Sequence, residues 1–245
     1  EDDNVDVVSF TVALSCANMP WDVVLALLAS MEGCQVEVDT TCCNSAVNAM
    51  SARWEVALHI FEALGTSQDV VGYTAVMNSS PWNVAMKLLQ SMMDQQLQPD
   101  RLAFCACLSA CEKSGRWERA LDFLQRMLTY KCQANTMCYN VVLSSCEKSS
   151  QWQVALALLF SGIQCDTVSF NAVISACEKG KMWQRTLDLW HYMCCKESFL
   201  QPDLITYNAL ISSCQSQWQL GLFLLDDLKD REMVPDIVTY NSLLS

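Results

Sequence analysis

Histidine is almost missing from this chain: His59 and His191 are the only two among 245 residues. Proton-transfer catalysis and nitrogen-ligated metal centres draw heavily on that side chain, so both are disfavoured from the outset. No G-x-x-x-x-G-K-[ST] loop, H-E-x-x-H helix or nucleophile elbow occurs either. No catalytic residue, metal, cofactor or small-molecule substrate is expected. Long apolar runs are also lacking. The longest are stretches such as Val154–Phe160, far short of the ~18 residues that cross a bilayer, so no membrane partner is expected. Five prolines and seven glycines leave no room for linkers or low-complexity tracts. Neither a secretory apolar core nor an Arg-rich leader follows Glu1-Asp2-Asp3. Basic residues are scarce, 15 against 27 acidic ones, for a net charge of −12. That balance argues against indiscriminate attraction to nucleic acid.

Cysteine, by contrast, is abundant, with 15 copies. The count is odd and no secretory signal accompanies it. Structural zinc needs C-x(2–4)-C pairs facing a second pair. Cys105 and Cys107 are too close for that, while Cys42-Cys43 and Cys194-Cys195 are adjacent. Cys111, Cys146, Cys177 and Cys214 instead occupy one slot of a repeating pattern. Stacked helical units would hold them roughly 10 Å apart, a helix-packing distance beyond disulfide reach. Small buried thiols in a reducing compartment are the expectation.

The pattern is set by tryptophan. Trp21, Trp54, Trp82, Trp117, Trp152, Trp183 and Trp218 follow one another at intervals of 33, 28, 35, 35, 31 and 35 residues. The surrounding phrase recurs, most clearly as FCACLSACEKSGRWERALDFL (104–124) and FNAVISACEKGKMWQRTLDLW (170–190). A period in the low thirties means one supersecondary unit stacked many times.

Within a unit the spacing predicts two antiparallel helices. Phe170, Val173, Ile174 and Cys177 form one i, i+3, i+4, i+7 stripe, and Trp183, Thr186, Leu187 and Trp190 form the next. The polar run Glu178-Lys179-Gly180-Lys181 lies between them. An apolar residue follows each tryptophan by seven: Leu28, Phe61, Leu89, Leu124, Leu159, Trp190 and Leu225. The second helix therefore keeps its register while the turns absorb length changes, and the tryptophans are expected to be deep core. Units are placed at 7–39, 40–69, 70–100, 101–135, 136–166, 167–203 and 204–236. Residues 1–6 read as the tail of a preceding repeat and 237–245 as the start of an eighth. With no initiator Met, the chain is expected to be the middle of a longer protein.

Tryptophan opens the second helix here, unlike the tetratricopeptide pattern, which places it early in the first. First helices begin with phrases such as Thr167-Val168-Ser169-Phe170-Asn171 and Leu204-Ile205-Thr206-Tyr207-Asn208, and units end in Pro99-Asp100, Pro202-Asp203 and Pro235-Asp236. Over essentially its whole length the chain resembles the pentatricopeptide repeat family. The resemblance implies an all-α, right-handed α-solenoid of stacked helix-turn-helix repeats. It implies modular binding of single-stranded RNA, about one base per repeat, in organellar RNA processing, stability, translation or editing, hence in a mitochondrion or chloroplast.

In that family the residue after the first-helix aromatic and the last residue of the unit address one base together. The matching positions are Thr11 with Asp39, Asn44 with Asp69, Thr74 with Asp100, Cys105 with Asn135, Asn140 with Asp166, Asn171 with Asp203, and Asn208 with Asp236. An amide offers both donor and acceptor to a base edge, which suits the role. The family's preferences imply 5′-GUGNUUU-3′, the unit of Cys105 being left open. The second residues Val8, Val71, Leu102, Met137, Val168 and Ile205 match the slot that sandwiches the base, and Lys113, Lys148 and Lys179 match the phosphate-contacting slot. Each lysine follows a glutamate that offsets its field. A helical scaffold holding a basic peptide or partner protein is the alternative that the acidic charge suggests.

Overall fold

The computed structural model describes residues 9, 11–13, 21–33, 40–49, 53–64, 69–161, 164–195, 200–215 and 217–244. Residues 1–6, Val8 and Asp39, and the side chains of Trp21 and Leu28, lie outside that set. Among the described residues there is helix but no strand. The helices are α1 (Trp21–Gly33), α2 (Thr40–Ala49), α3 (Trp54–Leu64), α4 (Val70–Ser79), α5 (Trp82–Asp94), α6 (Arg101–Lys113), α7 (Trp117–Thr129), α8 (Thr136–Lys148), α9 (Trp152–Leu159), α10 (Thr167–Lys179), α11 (Trp183–Cys194), α12 (Leu204–Ser213), α13 (Trp218–Asp230) and α14 (Ile237–Leu244). None is long and apolar enough to cross a membrane.

Each periodic tryptophan is thus the first residue of a second helix. Most of the shortfall in the interval before Trp82 has a local cause. Helix α4 has ten residues where α6 has thirteen. Ser80 and Pro81 then replace the three-residue turn Ser114-Gly115-Arg116. One helical turn has gone, with one turn residue, and the register of α5 is untouched.

Left-handed residues close the helices where the polar runs were expected to turn. After α10, Lys181 (φ 57°) follows the capping Gly180. Its N–H donates to Glu178 O at 2.8 Å, and the Met182 N–H to Cys177 O at 2.9 Å. That pair is a Schellman closure. Ser150 and Gln151 repeat it after α8, as do Gln96 and Leu97 after α5, Lys131 and Cys132 after α7, and Glu232 and Met233 after α13. Among the described residues glycine takes the left-handed position only at Gly115. Gly180 is required by packing instead, since a Cβ there would sit 2.5 Å from the Trp152 ring.

The chain folds as two compact units. One comprises Glu1–Ser114 with Gln125–Gln133, the other Gly115–Leu124 with Ala134–Ser245. In the first unit α2, α4 and α6 pack side by side, α2 and α4 each against its own second helix and the preceding one, and α6 against α5. Tyr73, Phe104, Leu89 and Leu108 fill the interior, with Phe61 edge-on to Tyr73 at 4.9 Å. In the second unit α8, α10, α12 and α14 form the equivalent row. Its core joins Phe170, Val173, Ile174, Tyr207, Leu210, Leu224 and Leu228. First helices pack against first helices, so the first-helix row is the shared wall of each unit.

The expected core positions divide. Phe61, Leu89, Leu124, Leu159 and Leu225 are buried, each position contributing about 1.5–3 kcal/mol of burial. The tryptophans are not the deep core that periodicity suggested. Trp54, Trp82, Trp117, Trp152 and Trp183 are half-buried, and Trp218 is 66% exposed. Standing on the first turn of a second helix, the indole covers the end of the layer, and the first-helix aromatics take the centre. Cys111, Cys146, Cys177 and Cys214 are buried thiols outside any disulfide.

Candidate nucleic-acid interface

The site is built from the ends of the units. Asp69, Asp100, Asn135, Asp166, Asp203 and Asp236 each sit in extended backbone or at a helix start. Each accepts the N–H of the third residue of the following helix at 2.7–3.1 Å. This satisfies one of the donors that a helix start leaves orphaned. A caps-only role would end there.

Four of the carboxylates do more. Each receives the side-chain amide of the asparagine in its own unit. Asn140 Nδ2 lies 3.1 and 3.3 Å from the Asp166 oxygens, Asn171 Nδ2 3.0 and 3.2 Å from those of Asp203, and Asn208 Nδ2 3.3 Å from Asp236. Asn44 approaches Asp69 less closely, at 3.4 and 3.5 Å. Residues 25 to 32 positions apart in sequence therefore share one polar cluster in each unit.

A third member of the cluster was not assigned from sequence. Ser169, Thr206 and Thr239 place a hydroxyl 2.5, 2.5 and 2.6 Å from the amide oxygens of Asn140, Asn171 and Asn208. The same hydroxyls accept the backbone N–H of Asp166, Asp203 and Asp236. A signal was available: Asp followed three residues later by Ser or Thr spells a reciprocal capping box.

The remaining pairs are arranged differently. The Thr74 hydroxyl donates to Val70 O of its own helix at 2.6 Å, while Asp100 holds the Ala103 N–H. Thr11 Oγ1 lies 2.9 Å from Cys42 Sγ. Cys105 is half-buried, and Asn135 is a helix cap.

Beside the caps stand the second-position aliphatics. Val71 and Leu102 in the first unit, and Met137, Val168 and Ile205 in the second, are all 59–64% exposed. A lone exposed aliphatic needs no explanation; here the same exposure recurs at the same position in repeat after repeat. Lys113, Lys148 and Lys179 end α6, α8 and α10 with exposed side chains. Lys179 meets a second glutamate besides the adjacent one. Its Nζ pairs with Glu147 of the previous repeat at 2.9 Å, while Glu178 accepts the Ser212 hydroxyl of the next. Lys113 Nζ reaches Asn78 O at 3.4 Å.

Electrostatics favour ionised carboxylates. Burial pushes the Asp166 carboxyl up, but hydrogen bonds from the Ser169 N–H and hydroxyl and from Asn140 outweigh it and leave the pKa below the usual value. At Asp236 the Thr239 N–H and hydroxyl, helped by Asn208, lower it. The Asp166 and Asp236 clusters thus present an anionic carboxylate and an amide with one proton and one lone pair to spare. Asn140 and Asn208 are half-buried, and Asn171 is 8% exposed. Among the described residues no group of His, Cys, Asp and Glu could hold a metal.

This is a helical-hairpin repeat array. Residues 166–216 match the PPR repeat family and residues 87–149 the pentatricopeptide repeat domain. These two segments are pentatricopeptide repeats. Among solved structures it is similar to the pentatricopeptide repeat protein PPR10 in complex with an 18-nt psaJ RNA element, at 23% identity and a TM-score of 0.68. That match covers 99% of this chain and 36% of PPR10, so the chain spans about a third of its relative. PPR10 from maize matches at 17% identity and a TM-score of 0.55, covering 96% of this chain and 40% of that one. The PPR domain of Arabidopsis thaliana protein-only RNase P 1, in complex with tRNA, matches at 15% identity and 0.56, covering 65% of this chain and 86% of that one. These likenesses show the fold, an all-α solenoid of antiparallel helix-turn-helix repeats. No curated protein matches the chain.

Proposed function

We propose that this chain binds single-stranded RNA, with each repeat addressing one base. The observation that carries the reading is the recurrence of one cluster in successive repeats. In the second unit an exposed aliphatic, an Asn amide and an Asp carboxylate recur together at Val168-Asn140-Asp166 and Ile205-Asn171-Asp203. Apolar surface to lie against a base face, beside donors and acceptors for its edge, is what a stacked and unpaired base requires. PPR10 and the PPR domain of protein-only RNase P 1, both solved with RNA, support the reading. The repeats are those bounded at 7–39, 40–69, 70–100, 101–135, 136–166, 167–203 and 204–236. The residue pairs given above read 5′-GUGNUUU-3′ along the chain. The role is recognition and not catalysis, in RNA processing, stability, translation or editing within a mitochondrion or chloroplast.

The test is fluorescence anisotropy at low salt with that oligonucleotide and a scrambled one of equal composition. Preferential binding of the ordered sequence supports the reading; equal or absent binding rejects it. The net charge of −12 favours one competitor, a scaffold that holds a basic peptide or partner helix. Pull-down that survives nuclease treatment would select it.

A further inference from the structure

We propose that the third-position hydroxyl of the following first helix, Ser169, Thr206 or Thr239, is a specificity-positioning residue for the asparagine behind it. The inference rests on the base-reading function just proposed. It adds that units with the same Asn and Asp differ in sharpness. Units 136–166, 167–203 and 204–236 reject the wrong base strongly, and unit 40–69 does so weakly.

The argument starts from the symmetry of a primary amide. Rotation by half a turn exchanges its donor and acceptor while hardly altering its shape. Uracil offers an N–H donor beside a carbonyl acceptor, and cytosine offers a ring-nitrogen acceptor beside an amino donor. An amide free to turn suits either edge; an amide fixed one way suits only one. In units 136–166, 167–203 and 204–236 the amide is held at both ends. Nδ2 donates to the carboxylate, and Oδ1 faces the hydroxyl at 2.5–2.6 Å. The hydroxyl is itself oriented, because it accepts the backbone N–H of the capping Asp and so keeps its own proton for donation. In two of the three units its distance to the cap carboxylate is 2.9 Å, longer than to the amide oxygen. The Thr239 hydroxyl lies 2.8 Å from Asp236, again the longer contact.

Unit 40–69 provides the natural comparison. Its third-position residue is Gly72, which has no hydroxyl, and the Asn44 to Asp69 contacts stretch to 3.4 and 3.5 Å. A Cβ on Gly72 would lie 2.8 Å from Asn44 Oδ1, so the amide oxygen occupies the space that a side chain takes elsewhere. Held loosely at one end only, this amide turns to meet either edge. The identity of the third residue, supplied by the next repeat, therefore tunes how strictly a given Asn is read. Preorganisation of this kind acts by raising the cost of the wrong partner.

The experiment uses the whole chain and 5′-GUGAUUU-3′ with single U-to-C changes at the second, fifth and sixth positions. The wild-type preference for U is expected to be greater at the fifth and sixth positions than at the second. Ser169→Ala is expected to lower the preference at the fifth position by roughly three- to tenfold, the worth of one hydrogen bond, and to leave the sixth unchanged. Thr206→Val should do the reverse, and Ser169→Thr should restore it. Loss of the capping box alone would weaken binding of U and C equally, so the ratio separates positioning from stability. Slower solvent exchange of the Asn140 side-chain amide protons in the wild type than in Ser169→Ala, read by NMR without RNA, supports the same clamp. An unchanged U-to-C ratio in a variant that still binds overturns this inference and leaves the function standing. Failure of the wild type to prefer either oligonucleotide overturns both.

Discussion

Asn171 makes two bonds that a helix surface does not need, one to Asp203 and one from Thr206. Replacing it with Ala should cost RNA affinity about 1–3 kcal/mol through an unpaired base edge. The free protein should lose stability too, because Asp203 and Thr206 lose a partner; paired titration calorimetry and urea unfolding measure the two effects. Asp166 and Asp236 carry a pH signature. Their folded pKa values lie below the usual carboxylate value. The unfolded chain therefore binds more protons as pH falls through about 3.9, the ordinary Asp value. Their contribution is complete above that pH and is lost as pH drops through the folded values. The urea midpoint should decline below about pH 4 in the wild type, and less steeply in Asp166→Asn with Asp236→Asn, since Asn remains a competent cap. Burial also pushes thiols up, Cys107 to about 12 and Cys146 and Cys177 to about 11. A thiolate-selective reagent at pH 8 should leave these three unmodified in the folded protein and label them on unfolding.

At the scale of elements, the turns separate two roles that the sequence blends. Gly180 stands in ordinary right-handed backbone as a helix cap, yet a Cβ there would meet the Trp152 ring at 2.5 Å. Gly180→Ala should therefore destabilise by about 1–3 kcal/mol through overpacking, and Trp152→Leu in the same chain should recover part of it. Ser150 is the converse, a left-handed residue with φ 56°. Ser150→Gly should stabilise by about 0.5–1 kcal/mol, the relief of left-handed strain less the added chain entropy of glycine. Chemical denaturation checks both. These details explain what could be read in advance. Helical period and the fixed interval from Trp to the following apolar residue carry the second helices, because both are local. The depth of the tryptophans does not follow from their period, because burial depends on what lies across the layer. The Ser169, Thr206 and Thr239 hydroxyls escape a local reading for the same reason: each acts on an asparagine 29 to 35 residues earlier. The Glu147 to Lys179 pair likewise joins adjacent repeats and not adjacent residues.

For the molecule as a whole, charge decides how binding must work. A protein of net charge −12 gains little from general attraction to a polyanion, so under the proposed function affinity has to come from base faces and edges, with few phosphate contacts. Lys113, Lys148 and Lys179 are the lysines proposed for phosphate contact, and Lys179 is already engaged with Glu147. With Lys179 held by Glu147, contacts from Lys113 and Lys148 should make log K fall with log salt at a slope of about −1.4, since single strands release about 0.7 counterion per contact. Glu147→Gln frees Lys179 and should raise affinity while steepening the slope by about 0.7. Because the glutamate touches no position assigned to a base, the preference for 5′-GUGNUUU-3′ over a scrambled sequence should stay the same. Anisotropy titrations between about 50 and 300 mM salt would measure slope and preference together. A slope several units steeper in the wild type would mean that basic side chains outside this slot carry the binding, and would remove the argument for recognition through bases.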